Sequence, residues 1–63
     1  MTQKELLYIE DAISHEENII KILNESLKKI EDNNLVSFIE TEIANHNTLK
    51  EKLINELEAS ANE

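Results

Sequence analysis

Two histidines have the spacing that most suggests chemistry. Asp11 stands four residues before His15, and Glu42 stands four residues before His46. On an α-helix this spacing places acid and imidazole on one face. There they could hold a metal ion or form a weak surface pair with each other. Glu16 and His46 are set apart because each interrupts an otherwise apolar helical face. The sharpest reading is a buried metal site built from Glu16, Glu42 and His46, doubled by two-fold symmetry and taking iron, manganese or zinc. Di-iron carboxylate bundles use Glu-x-x-His, whereas Glu42-x-x-x-His46 is one residue longer. The plainer reading is a polar layer, Glu16 with His46 or Lys50, that fixes register and choice of partner. On that reading no metal or other cofactor is needed. His15 lies at the edge of its apolar face, so it is expected to pair with Asp11 at the surface.

Other catalytic constellations are missing. The chain has no Gly, so it has neither a phosphate-cradling loop nor a nucleophile elbow. Ser14, Ser26, Ser37 and Ser60 fall on expected helix surfaces or the tail, with no base placed beside them. There is no Cys, which removes disulfides, thiol catalysis and thiolate metal sites. These absences point to a protein that is not an enzyme.

The elements that must position the polar residues follow from composition and periodicity. Sixty-three residues allow one small domain, near the lower limit for a self-sufficient core. With neither Gly nor Pro, and with Ile and Leu supplying most of the apolar residues, the chain is expected to be all-α. In the first half Leu6, Ile9, Ile13, Ile20, Leu23, Leu27 and Ile30 form a heptad seam with one member missing at Glu16. Thr2 and Glu5 fit a capping box at its start. One helix is therefore expected from about Thr2 to about Glu31. Leu35, Val36, Ile39, Ile43, Leu49, Leu53 and Leu57 give a second apolar face, from about Asn34 to about Ala59, with Ser60 to Glu63 as a frayed tail.

The second half repeats the first. Tyr8-Ile9-Glu10 with Ile13 recurs thirty residues later as Phe38-Ile39-Glu40 with Ile43. His15 and Ile22-Leu23-Asn24-Glu25 recur thirty-one residues later as His46 and Leu53-Ile54-Asn55-Glu56. Such a duplication marks two copies of one helical unit. A single continuous helix would carry the first seam onto Asn34, Ser37 and Thr41, all polar, so the seam breaks at Asp32-Asn33-Asn34. Asn and Asp both tolerate left-handed backbone and cap helix starts, so an antiparallel two-helix hairpin is expected. Folding about residue 33 pairs positions whose numbers sum to roughly 66, such as Leu27 with Ile39 and Ile13 with Leu53. Leu7, Ala12, Ile19, Ile22 and Ile54 then remain outside the seam and form the expected interface. A two-fold dimer making a four-helix bundle would cover them.

The net charge is −8, from 14 acidic residues against six Lys and no Arg. Binding to nucleic acid is not expected on that balance, and binding to an anionic membrane surface is disfavoured. Thr2-Gln3-Lys4-Glu5 leads into an amphipathic segment, so neither a signal peptide nor a membrane span is expected, and the compartment reads as cytoplasmic.

The run Leu6 to Ser14, the Asp-Asn-Asn joint and the stretch from Leu35 through His46 together resemble short spore-coat proteins of the CotF type, over residues 3–57. These belong to the ferritin-like group of helical bundles. The resemblance implies a coat-associated or sporulation role, possession of a helical-bundle fold and self-association, with other coat proteins as partners. Phe38-Ile39-Glu40-Thr41-Glu42-Ile43 is similar to the short helical-hairpin inhibitors of sporulation histidine kinases. That second resemblance implies a regulatory hairpin that binds a partner helix bundle.

Overall fold

The computed structural model describes residues 1–61 and contains two helices, α1 (Gln3–Leu27) and α2 (Asn33–Ala61), folded back on each other as a hairpin. The molecule measures 47 × 14 × 11 Å. A 29-residue helix is about 43 Å long at 1.5 Å per residue, so α2 sets the long dimension. The radius of gyration is 14.6 Å, against roughly 11 Å for a compact domain of this length. The hairpin is a rod two helices wide.

The start of α1 is fixed by the expected capping box. The Thr2 hydroxyl accepts from the Glu5 N–H at 3.1 Å, and Glu5 Oε1 accepts from the Thr2 N–H at 2.9 Å. Two amide donors that lack helical partners are thereby satisfied. The Glu5 carboxyl is held below its ordinary value of 4.5, first by the Thr2 backbone N–H and then by the Thr2 hydroxyl. A lowered carboxyl favours the fold in its charged form. The stabilisation is therefore complete above about pH 4.5 and is lost as the pH falls through the lower folded-state value.

The reversal differs from its expected form. α1 ends at Leu27, short of Glu31, because the backbone tightens into bonds three residues back: Lys28 N–H to the Glu25 carbonyl at 3.2 Å and Lys29 N–H to the Ser26 carbonyl at 3.0 Å. No described residue adopts positive φ, so the left-handed tolerance of Asp and Asn is not used. The chain instead takes Lys28 to Asp32 to turn, and Ile30 stays half-buried, closing the end of the seam. Asp32 is the helix cap: its Oδ1 accepts from the Leu35 N–H at 2.9 Å and its carbonyl from the Val36 N–H at 2.9 Å. Asn33 and Asn34 thus belong to the first turn of α2 rather than to the joint. At the other end α2 passes the expected stop at Ala59 and runs through Ala61. The remainder of the expected frayed tail lies outside the described residues.

The shielded positions show how the helices meet. On α1 and its turn Leu6, Ile9, Ile13, Glu16, Ile20, Leu23, Leu27 and Ile30 alternate by three and four with Glu16 in the gap, and Ala12, Ile19 and Ser26 are shielded beside them. On α2 Val36, Ile39, Ile43, His46, Lys50, Leu53, Leu57 and Ser60 keep the same rhythm, with Glu42 and Ile54 shielded beside them. This corrects the expected seam of α2. Leu35 and Leu49 are exposed, and Lys50 occupies the position that Leu49 was expected to fill. The contacts His46–Glu16 and Lys50–Glu17 join residues whose numbers sum to 62 and 67, bracketing the expected register.

Replacing Asp32 by Ala removes the cap of α2 and is expected to cost about 1 kcal/mol, read as a lower midpoint in urea unfolding followed by circular dichroism. An unchanged midpoint would show that the turn does not depend on this cap.

Candidate functional site

The polar layer lies midway along the hairpin. Glu16 is the one described charged residue that is buried, at 8% exposure. It is on the inward face of α1 because the seam rhythm from Ile13 to Ile20 passes through it. Facing it from α2 is His46, whose Nδ1 is hydrogen-bonded to Glu16 Oε2. A carboxylate accepts and does not donate, so Nδ1 carries the proton of this bond. On the other side of the ring, Nε2 lies 3.8 Å from Glu42 Oε2, one helical turn earlier on α2. Lys50, one turn further along, sends its ammonium out of the seam to Glu17 at 3.4 Å. Its stem fills the seam position while its charge reaches the edge. No buried side-chain polar atom among the described residues lacks a partner.

Of the sequence-derived metal candidates, Glu16 and His46 meet directly and Glu42 comes near. The arrangement is a bridge, however, not a converging set. The two carboxylates approach opposite nitrogens of one imidazole, so the ring stands between them where a shared ion would have to sit. Among the described residues no group of three or more ligating side chains gathers around one point. His15 lies exposed on α1, and the expected Asp11–His15 pair is not formed. The Ser26 hydroxyl is engaged by its own helix, donating to the Ile22 carbonyl at 2.9 Å. A shallow depression lined by Asn18, Lys21, Ile22, Glu25, Ser26 and Lys29 lies along the outside of α1 and its turn. It is open to solvent, and the polar layer does not line it.

The expected interface residues divide between the two flanks of the hairpin. With the seam written as positions a and d, antiparallel packing places the g and c positions of both helices on one flank and the e and b positions on the other. Ala12 and Ile19 (g) and Ile22 (c) share the first flank, whereas Leu7 (b) and Ile54 (e) lie on the second. Burial follows this division only in part. Ala12, Ile19, Ser26 and Glu42 at g are half-buried, and Glu10, Glu17, Asn24, Glu40 and Asn47 at e are exposed. Against it, Ile54 at e is half-buried and Glu5, Leu35, Leu49 and Glu56 at g are exposed. Sequence reasoning missed Tyr8, Leu35, Phe38 and Leu49, which also fall at g or c and are exposed, Phe38 at 61%. The signal was available in the spacing of Leu35, Phe38 and Leu49 from the corrected seam, one residue off the core.

No helix among the described residues is long and apolar enough to cross a membrane. Comparison with protein-family models, curated proteins and solved structures finds no match to this chain.

Truncating His46 to Ala leaves the Glu16 carboxylate shielded and without its partner, at an expected cost of about 1–3 kcal/mol. Replacing both Glu16 and His46 by Leu is expected to recover that loss, because an apolar layer needs no partner. Urea unfolding at one fixed protein concentration tests this, and a double variant no more stable than His46→Ala would contradict it.

Proposed function

We propose that this chain is a non-enzymatic structural or interaction protein whose hairpin self-associates into a four-helix bundle. The observation that carries the reading is the incompleteness of the hairpin's interior. Ile39 is the one described hydrophobic residue that is buried, no side chain is fully buried, and seven large hydrophobics are exposed. Burial of apolar area is the main favourable term in folding, and a two-helix rod supplies little of it. A second layer of helices is the simplest remedy. The resemblance to CotF-type coat proteins supports the same direction and suggests a spore-coat or sporulation setting.

The polar layer supports a structural role over a catalytic one. Glu16 and His46 are engaged with each other, and the depression on the outside of α1, open to solvent, is not lined by them and would not exclude water from a substrate. If the helices slid by a heptad, Glu16 would face an apolar neighbour and lose its partner. Such a slip leaves a carboxylate desolvated and unpaired, at a cost of several kcal/mol. The layer thus holds one alignment against its nearest competitors.

Sedimentation equilibrium at micromolar concentration is expected to give twice the 7.3 kDa chain mass, unchanged by a chelator, with no stoichiometric metal by elemental analysis. A folded monomer would overturn the self-association reading. Stoichiometric iron, manganese or zinc would replace it with a metal-binding bundle.

A further inference from the structure

We infer that the second copy docks on one particular flank of the hairpin, the one formed by the g and c positions of both helices. The inference rests on the self-association reading and specifies its surface. Two independent features converge on this flank. The first is apolar character: of the seven exposed large hydrophobics, Tyr8, Ile22, Leu35, Phe38 and Leu49 lie here, while Leu7 lies on the opposite flank. Ala12 and Ile19 extend the strip along α1 between Tyr8 and Ile22. The strip therefore runs along α1 and onto α2, at Leu35 and Phe38 near its start and at Leu49 further along.

The second feature is charge. Residues 1–61 hold 13 carboxylates and six lysines. The g and c flank carries only Glu5, Glu42 and Glu56, against Lys52 on α2 and Lys29, which borders the same depression as Ile22. Three carboxylates against two lysines leave a formal charge of −1 on this flank. The ten carboxylates and four lysines elsewhere leave −6. Two copies of an acidic chain repel wherever acidic surfaces meet, and apposed like charges at an interface are strongly unfavourable. The e and b flank presents Glu10, Glu17, Glu40, Glu51 and Glu58 against Lys21 and Lys28, a formal charge of −3, with the Lys50 ammonium reaching its edge at Glu17. A copy approaching there would meet a more acidic surface. A basic partner would instead favour that acidic flank. The near-neutral apolar flank suits a second copy of the same chain.

Because Ile22 and Phe38 are exposed at 56% and 61%, replacing either by Glu should spare the hairpin itself. Ile22→Glu and Phe38→Glu are each expected to weaken the dimer at least tenfold in sedimentation equilibrium, while Leu7→Glu leaves it unchanged. Helical content by circular dichroism checks that each variant folds. A milder readout uses the absence of cysteine in the native chain: the thiol of an Ile22→Cys variant should react with a maleimide more slowly at high protein concentration, and that of Leu7→Cys at a constant rate. A dimer insensitive to the first two changes, or equally sensitive to Leu7→Glu, would overturn the choice of flank while leaving self-association intact. A monomeric wild-type chain would overturn both.

Discussion

Two helices can touch along only one line, and every feature of this molecule follows from that limit. Each helix turns one stripe toward its neighbour, and residues on either side of the stripe are shielded only in part. Here the stripes are complete, from Leu6 to Ile30 and from Val36 to Ser60, yet among the described hydrophobic residues only Ile39 is buried by them. Better packing within the hairpin cannot change this, because the apolar residues outnumber the places the seam provides. The g and c positions of α1, holding Tyr8, Ala12, Ile19 and Ile22, form what amounts to a second stripe beside the first. A helix with two apolar stripes belongs in a bundle with neighbours on two sides.

Within this narrow contact a polar layer has more influence than it would in a thick core. A large domain can absorb one buried pair among dozens of apolar contacts. In this rod, Glu16 and His46 each take one of the eight seam positions on their own side of the hairpin. The pair contributes little net stability, since its hydrogen bond replaces bonds to water. Its effect lies in the difference between alignments, because any register that separates the two leaves Glu16 shielded and alone. Lys50 does not share that role. Its stem completes the seam, but its charge is satisfied at the edge by Glu17.

Much of the architecture was legible in the sequence because it rests on short-range rules. The capping box at Thr2 and Glu5, the seam of α1 and the reversal near Asp32 all follow from residue type and spacing over a few turns. The seam of α2 was harder to read for a physical reason. Hydrophobicity favours Leu49 over Lys50 as the inward residue, yet the rhythm of three and four that runs from Val36 through His46 lands on Lys50. The long aliphatic stem of lysine makes that acceptable, and no composition rule announces it. The same one-residue error hid Leu35 and Phe38 from the list of exposed apolar residues. Periodicity places Leu7 and Ile54 off the seam, as it does Ile19 and Ile22, without saying that they lie on the far flank. Metal ligation was suggested by residue types and their helical spacing. Only the orientation of the imidazole, with one carboxylate on each nitrogen, shows that Glu16 and Glu42 do not converge.

The internal repeat gives the polar layer a further consequence. At an offset of thirty, under which Ile9 matches Ile39 and Ile13 matches Ile43, Glu16 matches His46. The two halves therefore carry different polar residues at the same seam position. Duplicated halves with identical seams would have no reason to prefer pairing with each other over pairing with their own kind in a second chain. In-register pairing of two α1 seams would bring Glu16 against Glu16, and like carboxylates in a shielded layer repel. Two α2 seams would bring imidazole against imidazole, replacing the carboxylate acceptor by a weaker neutral one. Only α1 against α2 joins a carboxylate to an imidazole donor. The mismatch between the halves thus directs a repetitive sequence toward the heterotypic hairpin, while the matched apolar positions supply a seam that either pairing could use.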